Sequence, residues 1–237
     1  MCNRKCGYCP NSLYERGPDS FMEFELFLKC IREMAGTQYD GYINYSFYNE
    51  PLLDQRLNLF IAKAKQLCPM AKNIIFTNGD LLDLKRFKEL VKSGLHKIII
   101  TQHDNMISPN IKDVLDRADQ EDLKKIKLLF PKNMLLFNRA GSVSLKNEQN
   151  HARLKISCYR PSFSMVVTAK GNVLPCCNDF FEKEVMGNVN EEKLSIIWSS
   201  KYFVNFRRNL LKGKRKDYEL CRNCDWLMDT EFESFIE

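Results

Sequence analysis

The chain has 237 residues, 44% of them hydrophobic and 28% charged, with a formal net charge of +6; this is the composition of a globular protein with one large core, or a core plus a small appendage. No stretch approaches the roughly eighteen uninterrupted apolar residues of a membrane helix and no export signal leads the chain, so the expected location is the cytoplasm, without membrane association. Ten cysteines in such a chain suggest metal ligation rather than disulfides, because thiols stay reduced there.

The first nine residues carry three of those cysteines, Cys2, Cys6 and Cys9 in CNRKCGYCP, with the aromatic Tyr8 before the last. Three thiolates ligate three corners of a four-iron cube and leave the fourth iron open to a small molecule, whereas electron-carrying clusters and structural zinc sites are usually closed by four protein ligands. The same spacing would also place the trio on one face of a helix, as a buried stripe or as three corners of a zinc site. Gly7 and Pro10 favour a loop, since glycine frees the backbone and proline ends a helix running through it.

Downstream, Phe24, Phe27, Leu28, Ile31, Met34 and Ala35 follow the spacing of a helix packed by one face. A strand is expected at 42–48, a helix at 55–68, a strand from 73, a helix at 83–93, a strand from 97, a helix at 110–118, and strands from 125 and from 134. Helices alternating with apolar strands specify a parallel sheet covered by helices, with Gly41, Gly79 and Gly94 at the joints. Ligands of such sheets gather at the carboxyl ends of the strands. There stand Tyr48, Asn49 and Glu50, then Asn78 and Asp80, then Gln102 and His103, then Asn138 and Arg139. For any one of them a cap or turn role is the cheaper explanation, and their common end of the sheet is what recommends the set.

Beyond residue 140 the pattern changes to a polar connection, a short hairpin (SMVVT, KGN, VLPCC), helices near 191–200 and 201–212, and CRNC. Cys158, Cys176, Cys221 and Cys224 frame this tail, with Cys177 beside Cys176; so small a region builds little core, and a metal centre is a plausible staple. Zinc is the alternative to iron and sulfide. Cys30 and Cys68 read as inert packed thiols. The basic run Arg207, Arg208, Lys212, Lys214, Arg215 and Lys216 reads as a solvated helix face, with no nucleic-acid motif beside it, although an acidic electron donor could dock there.

With these motifs in view, the chain resembles the radical S-adenosylmethionine superfamily. CNRKCGYCP is similar to its cluster loop, YNEP at 48–51 to its GGEP-like motif, and SCYRP, GNVLPC, MGNV and CRNC to the SPASM and shorter Twitch extensions that hold an auxiliary four-iron cluster. FYNEPLL, IIFTNGD, IITQH, NRAG, VVTAKGNVLPC and LCRNC, in this order, resemble members that oxidise an aminocyclitol. The resemblance implies an α/β fold: a partial (β/α)6 barrel over 1–140, its first strand missing from this chain, and a Twitch/SPASM-like domain over 141–237. It implies two 4Fe-4S clusters, one on Cys2, Cys6 and Cys9 and one on Cys158, Cys176, Cys221 and Cys224, with S-adenosylmethionine met by Tyr8, Tyr48, Asn49, Glu50, Asn78, Gln102 and His103. The implied activity is a dehydrogenase: a 5'-deoxyadenosyl radical removes a carbinol hydrogen from an aminocyclitol or sugar-like polyol, and the auxiliary cluster takes the remaining electron as the ketone forms. A flavodoxin or ferredoxin would supply the first electron.

Arg139 matches the family arginine near the reacting hydroxyl; because a guanidinium is a poor base, its expected role is to anchor and stabilise a developing oxyanion. Asn49 replaces a customary glycine, Phe76 stands where a tyrosine is expected and Asn178 where an acid is expected. The competing readings are a maturase of ribosomal peptides and a non-catalytic iron-sulfur or zinc scaffold. A single tail set of four cysteines disfavours the first, and the open three-cysteine site disfavours the second.

Overall fold

The computed structural model of the chain describes residues 1–15, 21–134, 136–144 and 155–226. The chain divides into two compact units, one formed by Met1–Asn3 and Phe27–Leu135, the other by Arg4–Leu26 and Leu136–Glu233.

The first unit is built on four parallel strands, β1 (Tyr42–Asn44), β2 (Lys72–Thr77), β3 (Leu95–Thr101) and β4 (Ile126–Leu129), paired in that order. Helices α1 (Phe24–Ala35), α2 (Leu57–Leu67), α3 (Leu84–Lys92) and α4 (Pro109–Arg117) alternate with them, with a single turn, α5 (Gln120–Leu123), before β4. Ile74, Ile75, Ile98, Ile99 and Ile100 are fully buried. A parallel strand covered on both faces needs an unbroken apolar run of this kind rather than an alternating one. The helices answer with Ile61, Phe87, Leu90, Ile111 and Val114, buried in one cluster with Ile75, Ile98 and Ile100.

Asp83 caps α3 by accepting the Arg86 backbone N–H at 2.7 Å, the N-cap device that satisfies an orphan donor of the first turn. Gly79, at the carboxyl end of β2, has φ +78°, and a Cβ there would stand 2.7 Å from Cγ2 of Ile100. The turn that ends β2 therefore requires glycine for both its conformation and its packing. Cys30 and Cys68 are buried thiols, and Cys68 Sγ lies 3.4 Å from the Ile31 carbonyl, as expected of packed residues.

Two expected strands are shortened or absent. The strand expected at 42–48 stops at Asn44, because the Asn44 side chain accepts the Ser46 N–H at 3.2 Å and the Ser46 hydroxyl turns away to the Phe76 carbonyl, 2.9 Å. The strand expected from 134 is not formed by the described residues of that stretch. The Asn138 N–H goes to the Asp225 carboxylate, 2.9 Å, and Arg139 and Ala140 have φ of 51° and 58°, a left-handed pair that no strand can contain.

The second unit holds the hairpin β5 (Val166–Val167) and β6 (Asn172–Leu174), extended antiparallel by β7 (Gly187–Asn188). Its helices are α6 (Arg160–Phe163), α7 (Leu194–Ser199) and α8 (Lys201–Leu211). Phe203, Phe206 and Leu210 form the buried face of α8. The polar connection at 145–154 and the chain beyond Trp226 lie outside the described residues. No helix among the described residues is long and apolar enough to cross a membrane.

Candidate active site

In the first unit the expected residues do collect at the carboxyl ends of the strands. Glu50 is 3% exposed, and its carboxylate accepts the Thr77 hydroxyl at 2.6 Å, the Asn78 N–H at 2.8 Å and the Leu52 N–H at 3.0 Å. Burial pushes this carboxyl above its usual value, against the pull of those three donors. The side chain thus ties the end of β1 to the end of β2. The opening of the cluster loop is fastened to the same edge: the Glu50 N–H donates to the Met1 carbonyl at 3.0 Å, and the Asn3 amide bridges Asn78 (2.8 Å) and Asp80 (3.0 Å).

Gln102 is buried and accepts the Ser108 N–H at 2.6 Å; Asn49 accepts the Phe47 N–H. Tyr48 has φ 49° and stacks edge-on against Phe47, and His103 is half-buried. The side-chain oxygens of Glu50, Gln102 and Asn49 are therefore engaged by this chain's own backbone. Any contact they make with a small molecule shares those oxygens or uses the neighbouring main chain.

The second unit contains the rest of the cluster loop. A turn closed by the Cys9 N–H on the Cys6 carbonyl, 2.9 Å, presents the thiols. The Ser12 hydroxyl lies 2.7 Å and 2.6 Å from the Cys6 and Cys9 carbonyls and can donate to either. Tyr8 is pushed well above the usual tyrosine value, chiefly by burial and then by the neighbouring Cys6, while the charge of Arg139 works in the opposite direction.

Arg139 lines a cavity of about 310 Å³ with Asn178, Asp179, Phe181 and Asn223. A second cavity, about 400 Å³, is ringed by Cys158, Cys176, Cys221 and Cys224 together with Arg160, Arg215 and Trp226. Ala140, Asn178 and Leu220 belong to both walls. Asn178 is 2% exposed, and its Oδ1 has no hydrogen-bond partner among the described residues. The Cys177 Sγ receives an N–H of Arg160 at 3.3 Å.

Two of these groups carry no signal in the sequence. Arg160 is buried and stacks over Trp226 at 4.3 Å. Arg215 is 1% exposed and donates to the Trp226 carbonyl at 2.8 Å and the Ser157 carbonyl at 3.2 Å. The basic run is accordingly not one solvated face: Arg215 points inward, and Arg207 lies over the rings of Trp198 and Phe203 at 4.2 and 4.5 Å. A lone arginine in KGKRKD carries no periodic signal that would have separated it from its exposed neighbours.

Two family models match the chain, the radical SAM superfamily over residues 1–128 and SPASM, an iron-sulfur cluster-binding domain, over residues 158–225. The chain belongs to the radical SAM superfamily. It is 38% identical over 225 residues to the S-adenosyl-L-methionine-dependent 2-deoxy-scyllo-inosamine dehydrogenase of Niallia circulans, spanning 95% of this chain and 89% of that protein. Among solved structures it is similar to BtrN in complex with AdoMet and 2-DOIA, with TM-score 0.87 and 37% identity over 96% of this chain and 89% of that one. It is also similar to BtrN in an open conformation, with TM-score 0.77 and 34% identity over 95% and 88%.

A radical SAM domain followed by a SPASM domain implies S-adenosylmethionine and two four-iron clusters. The residues fit the auxiliary group. All ten cysteines are thiols, and four of them surround one cavity. Among the described residues no three Cys, His, Asp or Glu side chains converge closely enough to chelate a single ion. Sulfurs spread around a cavity suit the corners of a cube rather than a tetrahedral zinc.

Proposed function

We propose that this protein is a radical SAM dehydrogenase that oxidises a secondary alcohol of an aminocyclitol, or of a closely related polyol, to a ketone. The observation that carries the reading is the shared wall: the cavity holding Arg139 and the cavity ringed by Cys158, Cys176, Cys221 and Cys224 have Ala140, Asn178 and Leu220 in common. A substrate beside Arg139 would then lie next to an electron acceptor. The similarity to a dehydrogenase of 2-deoxy-scyllo-inosamine supports the substrate class.

When bound, S-adenosylmethionine and its cluster would supply the hydrogen-abstracting oxidant for the carbinol carbon, and the auxiliary cluster would supply an acceptor for the electron left as the hydroxyl proton leaves. The chain's own residues prepare for this. Cys2, Cys6 and Cys9 would hold the open cluster, with Tyr8 beside Cys6. Tyr48, Asn49, Glu50, Asn78, Gln102 and His103 form the S-adenosylmethionine edge, on which Glu50 acts chiefly by fixing the ends of β1 and β2. Arg139 anchors the reacting hydroxyl; its guanidinium stays protonated and stabilises developing negative charge on the oxygen instead of accepting the proton. Functionally the chain divides near residue 140 into the partial barrel and the auxiliary-cluster domain. Reduction by a flavodoxin or ferredoxin in the cytoplasm completes the reading.

The test is isotopic. With deuterium on the carbinol carbon of 2-deoxy-scyllo-inosamine and related aminocyclitols, label should appear in 5'-deoxyadenosine, one molecule per ketone formed. Cleavage of S-adenosylmethionine without label transfer from any aminocyclitol would remove this substrate class.

A further inference from the structure

The cavity ringed by the tail cysteines has a deeply buried guanidinium, that of Arg215, in its wall. Arg215 is 1% exposed, yet both of its hydrogen bonds end on neutral carbonyls, those of Ser157 and Trp226, and its Nε has no hydrogen-bond partner among the described residues. Arg160, 8% exposed, lies against Trp226 and Cys177 on the same wall. The buried acids of this unit are engaged elsewhere: Glu184 accepts the Tyr202 hydroxyl at 2.9 Å, and Asp179 accepts the Lys183 and Glu184 N–H groups at 2.8 and 2.9 Å. Burying a guanidinium costs several kcal/mol unless an anion compensates it. Four thiolates on a four-iron cluster supply such an anion, because the assembly is negative when oxidised and gains one further negative charge on reduction. A fixed cation beside it stabilises the reduced form more than the oxidised one.

We propose that Arg215, with Arg160 on the same cavity wall, holds the reduction potential of the auxiliary cluster up, so that the cluster can accept the electron released when the substrate becomes a ketone. The proposal rests on the auxiliary cluster of the function above. Arg215 acts through the cluster and not on the substrate, so it is a positioning residue of electrostatic kind.

The experiment uses the full chain with Cys2, Cys6 and Cys9 replaced by alanine, reconstituted anaerobically so that only the auxiliary cluster is present, and titrated for the midpoint of its one-electron reduction by electron paramagnetic resonance. Arg215→Gln should weaken reduction at least tenfold, a shift of about 59 mV to more negative potential for a one-electron couple. Arg215→Lys keeps the charge and should stay near the parent. A merely structural role would change iron retention and leave the midpoint of the retained cluster alone. Should Arg215→Gln fail to hold iron, Arg160→Gln makes the same comparison at the other guanidinium. An unchanged midpoint in the charge-removing variant that retains its iron overturns the proposal, whereas absence of iron from the parent refutes the auxiliary cluster itself.

Discussion

Arg139→Lys separates orientation from charge more cleanly than any other change at this site. Arg139 has φ 51°, so glycine would relax the backbone as well as remove the side chain, while lysine bears the same left-handed conformation and keeps the Cβ. What lysine loses is the planar fork that can present two N–H groups to one hydroxyl in the 310 Å³ cavity shared with Asn178, Asp179 and Asn223. A hydrogen bond from a charged donor is worth roughly 1.5–3 kcal/mol, so losing one arm should slow oxidation roughly ten- to hundredfold. Reductive cleavage of S-adenosylmethionine does not use that arm and should stay within about threefold, so the variant becomes uncoupled. Mass spectrometry of ketone and 5'-deoxyadenosine from the same reaction measures both. Equal loss of the two products would refute the reasoning and move Arg139 to the cofactor or to the fold.

Cys176→Ser should cost the auxiliary cluster about half of the chain's iron, while Cys177→Ser should leave the iron content unchanged, because Cys176 lines the cavity and Cys177 faces Arg160; the reverse pattern would exchange their roles. Gly79→Ala should destabilise the protein by about 2–4 kcal/mol in urea denaturation, from a left-handed backbone and overpacking against Ile100. Gly36→Ala, whose nearest contact is at an ordinary 3.4 Å, is the control, and equal effects would show that the turn is not constrained. Burial alone would raise the Asp54 carboxyl, but its hydrogen bonds to Arg56, at 2.9–3.0 Å, hold it below the usual 3.8. A depressed carboxyl stabilises the fold above its unfolded value and loses that contribution as pH falls through the folded one. Arg56→Gln should therefore cost about 0.2–1 kcal/mol at neutral pH, and the gap should close in acid; a gap that persists there would place the effect in packing over Phe60, 5.3 Å from the guanidinium.

The cofactor chemistry was legible in the sequence because it depends on covalent spacing. CNRKCGYCP sets three thiols around a loop whatever surrounds them, and the apolar runs at 73–77 and 97–101, alternating with amphipathic helices, read as strands of a parallel sheet. The helix positions followed from their periodicity for the same reason, since the partner of each apolar stripe need not be known for the stripe to be seen. Tertiary structure decided what depends on partners distant in the chain. The segment from 134 lacked its strand because Asn138 found Asp225, 87 residues away, and a hydrogen bond of that reach leaves no local trace. Glu50 stood in the motif as a candidate cofactor contact, but only the fold brought Thr77 and Asn78 to its carboxylate. Arg215 had the appearance of a solvated charge until the cysteine-ringed cavity closed around it; a charge in sequence has no sign of burial, because burial is a property of what packs against it.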